Sequence, residues 1–128
     1  MLLKWFKTQE DYLIFIFRIL VGFMYLLHAM MKLGWLGSPA MTGFMLFIGI
    51  CELLIALGII LGLFTRLAAL GGAIIMLGAW FTFHIKSGWN PFANHGEPAI
   101  LFFAAFLVIL ALGYKKWGLD GLFKKEVF

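Results

Sequence analysis

Four long apolar runs, near 12–31, 41–63, 67–83 and 98–114, dominate this chain of 128 residues. Each is close to the roughly 20 residues that a helix needs to cross a bilayer. In lipid a backbone must satisfy its own hydrogen bonds, so spanning segments are helices or closed barrels. These runs are continuous and lack the two-residue alternation of barrel strands. They predict an all-α fold: an integral membrane, antiparallel four-helix bundle, forming one domain over 1–128. Composition agrees. The chain is 64% hydrophobic and 12% charged, against about 45–50% and 25% in soluble domains. The link "GLFTR" is very short, which makes spans two and three a hairpin. The link from His84 to Glu97 is longer and rich in turn residues, "KSGWNPFANHGEP".

The net charge of +4 bears on topology before it bears on partners. Lys4, Lys7, Arg66, Lys115, Lys116, Lys124 and Lys125 fall on one side of the spans, and only Lys32 and Lys86 fall near the other. This bias predicts a multi-pass protein of the cytoplasmic membrane with both termini in the cytoplasm. Trp5, Trp35, Trp89 and Trp117 lie near span ends, where aromatic anchors belong. No basic–aromatic pattern of a nucleic-acid binder is present. The single cysteine, Cys51, excludes an intrachain disulfide and any CxxC motif. Glu10, Asp11 and Arg18 interrupt the N-terminal run and no small-residue cleavage site follows. The chain therefore reads as the mature protein without a cleavable signal peptide.

Ionisable side chains inside spans are costly, by about 2.5–3.5 kcal/mol each on insertion scales, and so face the bundle interior. Glu52 sits within "GICELLIALGII", near the midpoint of span two. Arg18 sits near the midpoint of span one. Their similar depth predicts an Arg18–Glu52 ion pair, serving either helix register or chemistry. Arg18, Gly22, Tyr25, Ala29 and Lys32 follow one helical stripe, flanked by His28. His28, Lys32, His84 and Glu97 all lie toward the outer side and are expected to converge on a pocket there. Each also has a plain reading. A terminal histidine is an interfacial hydrogen-bonder, Lys32 snorkels, Glu97 favours a helix N-terminus, and Tyr25 is a core aromatic. No HxxxH or HExxH spacing occurs, so no metal site is assigned. Gly58 and Gly62 permit close helix packing.

These residues carry a family resemblance. Span one ends in "HAMMKL". "GICELLIALGIILGLFTRLAAL", a third span with a terminal histidine, "NHGEPAILFF" and a terminal "GLD" follow. The chain resembles the DoxX family of small four-helix membrane proteins over nearly all its length. Members are similar to the DoxD quinone-reducing subunit of thiosulfate:quinone oxidoreductase. The resemblance implies Arg18, Lys32, Glu52, Arg66, His84 and Glu97 as the shared polar pattern. It implies a membrane subunit of a redox system that binds a quinone or a small sulfur-containing substrate. In that reading His84, Glu97 and Glu52 move protons, while Arg18, Tyr25, His28 and Lys32 hold the ligand. No flavin, haem or iron–sulfur motif is recognisable. A quinone, bound non-covalently, or a soluble or membrane oxidoreductase partner is therefore expected to take the electrons. The protein could also form homo-oligomers. The alternatives are a non-enzymatic membrane scaffold or assembly partner of an oxidoreductase complex, and a small metal or solute transporter.

Overall fold

The computed structural model describes residues 1–122, and the expected contribution of Lys124 and Lys125 to charge asymmetry lies outside them. The described chain is all-helical. A short helix α1 (Leu2–Thr8) leads into α2 (Glu10–Lys32). Then follow α3 (Phe44–Leu61), α4 (Thr65–Ala79) and α5 (Glu97–Leu112). A π turn, Trp80–His84, and a 3-10 turn, Ile85–Ser87, prolong α4. The helical stretches Glu10–Lys32, Phe44–Leu61 and Thr65–Ser87 are long and apolar enough to cross a membrane. Helix α5 is apolar but shorter, with 16 residues, or about 24 Å against a hydrocarbon core of about 30 Å. The protein is thus a multi-pass membrane protein.

The buried positions form stripes at helical spacing. On α2 they are Arg18, Gly22, Tyr25 and Ala29, and on α3 they are Gly49, Glu52, Ala56 and Ile59. Small residues let the two axes approach. A β-carbon on Gly22 would lie 2.6 Å from the Ile60 side chain, and one on Gly49 would lie 2.8 Å from that of Lys32. The second pair, α4 and α5, packs in the same way. Thr65, Ala68, Ala69, Gly72, Ala73 and Met76 form the buried face of α4, and a β-carbon on Gly72 would lie 2.5 Å from the Phe106 ring. Apolar side chains on the remaining faces, such as Ile16, Phe23, Leu54 and Ile74, are exposed, as lipid contact requires.

The helices are antiparallel, because the start of α2 meets the segment after α5. Lys115 pairs with Glu10 at 3.0 Å and Lys116 with Asp11 at 3.7 Å. The hydrogen bond and charge of Glu10 hold the Lys115 ammonium above the usual lysine range. At the same end, Gly62 closes α3 in the left-handed conformation (φ 64°), and Phe64 also adopts positive φ (49°). Phe64 offers no capping oxygen to α4. Asp120 supplies one from the far end of the sequence. Its carboxylate accepts from the Phe64 amide (2.6 Å), the Thr65 amide (2.9 Å) and the Thr65 hydroxyl (2.6 Å). The Asp120 amide in turn donates to the Gly62 carbonyl at 2.8 Å. The "GLD" segment is therefore a remote N-cap for α4.

Candidate functional site

The polar side chains buried in the bundle fall into two groups at opposite ends. Arg18 belongs to the end that carries the chain termini. It is almost fully buried. Its Nη1 donates to the Tyr114 and Lys116 carbonyls at 2.6 and 3.2 Å, and its Nη2 donates to the Trp117 carbonyl at 2.7 Å. Arg18 thus ties the chain after α5 onto α2, in the same corner as the Asp120 cap. Arg66 donates there to the Ala111 carbonyl at 3.5 Å.

This arrangement corrects the expected Arg18–Glu52 pair. Glu52 is partnered by Lys32, whose Nζ lies 3.2 Å from Oε1 and 3.0 Å from Oε2. The Glu52 side chain is 1% exposed and that of Lys32 is 16% exposed. The expectation failed on helix offset. Equating the midpoints of α2 and α3 sets Glu52 opposite the middle of α2. The packed glycines show another register, with Gly49 beside Lys32, Gly22 beside Ile60 and Gly62 beside Arg18. Glu52 is thereby level with the last turn of α2. Arg18 lies 14 residues away from Lys32 along that helix, about 21 Å.

Tyr25 of the α2 stripe and the flanking His28 lie two turns and one turn before Lys32 on that helix. Tyr25 is fully buried, and its hydroxyl has no hydrogen-bond partner among the described residues. It lies within electrostatic range of Glu52 and Cys51. Its ring meets Phe102 and Phe106 of α5 edge-on, at 5.2 and 4.9 Å between centroids. His28 also meets Phe102 edge-on, at 5.2 Å, and lies within range of Lys32. Tyr25 and His28 thus share the Phe102 ring of α5, one to two helical turns from the Lys32–Glu52 pair along α2.

His84 and Glu97 stand apart from this cluster in hydrogen bonding. His84 closes the π turn, and its Nδ1 lies 3.1 Å from the Asn94 carbonyl. A carbonyl only accepts, so Nδ1 carries the proton and Nε2 is left as an acceptor in the neutral ring. Asn94, a residue the sequence did not single out, organises the link. It is buried, donates to the Gly88 carbonyl at 2.8 Å and accepts from the Gly96 amide at 2.8 Å. Its only sequence signal is a turn-forming residue between two proline-containing stretches. Glu97 is exposed at the start of α5, and its side chain makes no hydrogen bond or ion pair among the described residues. An apolar slot of about 200 Å³ opens between α4 and α5, lined by residues that include Met76, Trp80, Phe81, Ala99 and Phe103. None of the polar cluster lines it. No group of three or more histidine, cysteine or acidic residues fit to hold a metal occurs among the described residues.

The DoxX family model matches residues 13–85, more than half the chain. The chain belongs to the DoxX family. An uncharacterized protein of Haemophilus influenzae is 35% identical over 132 residues, covering 94% of this chain and 97% of that protein. A second uncharacterized protein of the same organism is 32% identical over 74 residues, covering 58% of this chain and 49% of its own length. No solved structure matches. The DoxX match includes Arg18, Tyr25, His28, Lys32, Glu52 and His84. It ends before Glu97 and the Asp120 cap.

Proposed function

We propose that this DoxX protein is the membrane subunit of a redox system, and that the Tyr25–His28–Lys32–Glu52 cluster binds a quinone head group. One observation carries the reading: the buried Tyr25 hydroxyl without a partner. Leaving such a group unpaired costs about 1–3 kcal/mol, and a ligand carbonyl oxygen removes that cost. The fit is chemical. Tyr25 donates to one ring oxygen. Phe102 and Phe106 flank the ring with apolar surface. Lys32 and Glu52 hold a mobile proton beside it, and His28 offers a second exchangeable site. A bound quinone supplies a two-electron, two-proton acceptor. An oxidoreductase partner delivers the electrons. His84 and Glu97, at the same end of the bundle, connect the site to water. The basic residues at the terminal end, Lys4, Lys7, Arg66, Lys115 and Lys116, favour cytoplasmic termini. The cluster then lies nearer the opposite face.

A photoreactive quinone analogue tests the site. Purified protein should be labelled on α2, α3 or α5, and excess quinone should suppress the labelling. Tyr25→Phe should weaken binding by up to about tenfold, the equivalent of one hydrogen bond. Saturable binding that is unchanged in both Tyr25→Phe and Glu52→Gln would place the ligand elsewhere. One observation favours a second reading. Both Glu52 oxygens already face Lys32, as in a pair that only sets helix register within an assembly scaffold. In that case no quinone is bound, and Glu52→Gln impairs assembly with the partner.

A further inference from the structure

We infer that α1 is an in-plane surface helix that binds the anionic headgroups of the leaflet into which α2 descends. Helix α1 has seven residues and buries none of them. Isolated helices shorter than about 12–15 residues are marginal in water. Something must therefore cover its apolar side chains. Leu2, Leu3, Trp5 and Phe6 are 69, 81, 56 and 47% exposed. Leu2 and Phe6 are four residues apart and Leu3 and Phe6 three, which places them on one face. Lys7 borders that face, and Lys4 lies on the opposite side of the helix, from which its long flexible stem can reach round to a headgroup.

The occupant follows from position and charge. Helix α2 begins one residue after α1 ends, and its first apolar side chains, Tyr12, Leu13 and Ile16, are exposed on a spanning helix. The apolar face of α1 is thus continuous with lipid-contacting surface. The charges nearby divide unequally. Lys115 and Lys116 are neutralised by Glu10 and Asp11. The side chains of Lys4 and Lys7 make no hydrogen bond or ion pair among the described residues. Two uncompensated cations on a short helix with one apolar face and an interfacial tryptophan match an anionic bilayer surface.

Amide hydrogen exchange of the full chain in nanodiscs provides the test. Discs of phosphatidylcholine alone are compared with discs that also contain phosphatidylglycerol. Amides of residues 2–8 should exchange more slowly in the anionic discs, by roughly fivefold for each lysine engaged. Near-molar salt should erase that difference. Lys4→Gln/Lys7→Gln should abolish the lipid dependence while exchange in α2–α5 stays unchanged. Leu3→Gln/Phe6→Gln should lose protection in both kinds of disc. Equal exchange in the two discs, or a lipid dependence that survives removal of both lysines, overturns the proposal and leaves α1 to a protein partner.

Discussion

Replacing Lys32 and Glu52 singly and together tests the buried pair directly. Lys32→Met leaves the Glu52 carboxylate, 1% exposed, without its cation. Breaking a buried pair in this way costs about 3–5 kcal/mol. Glu52→Met should cost less. Lys32 ends α2 and keeps 16% exposure, so its flexible stem can carry the ammonium out to the polar boundary. That change loses a charge-assisted hydrogen bond, about 1.5–3 kcal/mol. In the double variant two thioethers of similar volume replace both charges, and such swaps are often neutral. The single losses sum to roughly 4.5–8 kcal/mol, whereas the double should lose about 1 kcal/mol or less. The coupling is therefore at least about 3 kcal/mol. Steric-trapping measurements of unfolding in bicelles read it. Losses that add to within about 0.5 kcal/mol, the range for independent sites, would refute the pair.

Three other outcomes follow from the same geometry. Arg18→Ala and Glu52→Ala should be additive within about 0.5 kcal/mol, because each side chain has its own partners about 20 Å apart, and the same unfolding cycle measures this. Asp120→Ala removes the cap of α4 and should cost about 1–2 kcal/mol, with faster amide exchange at Phe64 and Thr65 before any change in α2. Tyr25→Phe should stabilise the ligand-free protein by about 1 kcal/mol, because an unsatisfied buried hydroxyl is removed. A loss of stability on that change would mean that the hydroxyl already has a partner.

The fold was legible because lipid admits few solutions. Continuous apolar length alone called for helices, and the short "GLFTR" link fixed one hairpin. Helix ends were less legible. Span two was expected from residue 41, yet α3 starts at Phe44 because Gly43 takes positive φ (63°) and the Met41 amide turns back to the Lys32 carbonyl at 2.8 Å. The midpoint of α3 stays at Glu52 all the same, and what misled its pairing is the axial stagger of α3 against α2. Which charges lay inside was readable from hydropathy. Which one met which depended on axial register, set by Gly22 and Gly49 packing at single contacts. The Asp120 cap joins residues 55 or more apart in sequence, and no local pattern announces such a contact.

The two polar ends of the bundle do opposite physical things. At the terminal end many polar groups are spent on ties between segments, although the buried Nε atoms of Arg18 and Arg66 have no partner among the described residues. Arg18 spends both Nη atoms on carbonyls, and Asp120 uses its carboxylate on three donors. Glu10 and Asp11 close on lysines. Four helices and the chain after α5 are tied there, so that end is held rigid. At the other end the groups are left available. Among the described residues the Tyr25 hydroxyl has no partner, the exposed Glu97 side chain makes no hydrogen bond or ion pair, and His84 Nε2 makes no hydrogen bond. The π turn Trp80–His84 interrupts regular hydrogen bonding just where α4 reaches that end, a device frequent at functional sites. A purely structural bundle gains nothing from an unsatisfied buried donor such as the Tyr25 hydroxyl, which is costly in lipid. Open polar groups beside a π turn, opposite the ties made by Arg18 and Asp120, are the arrangement expected when one end anchors the helices and the other binds a ligand.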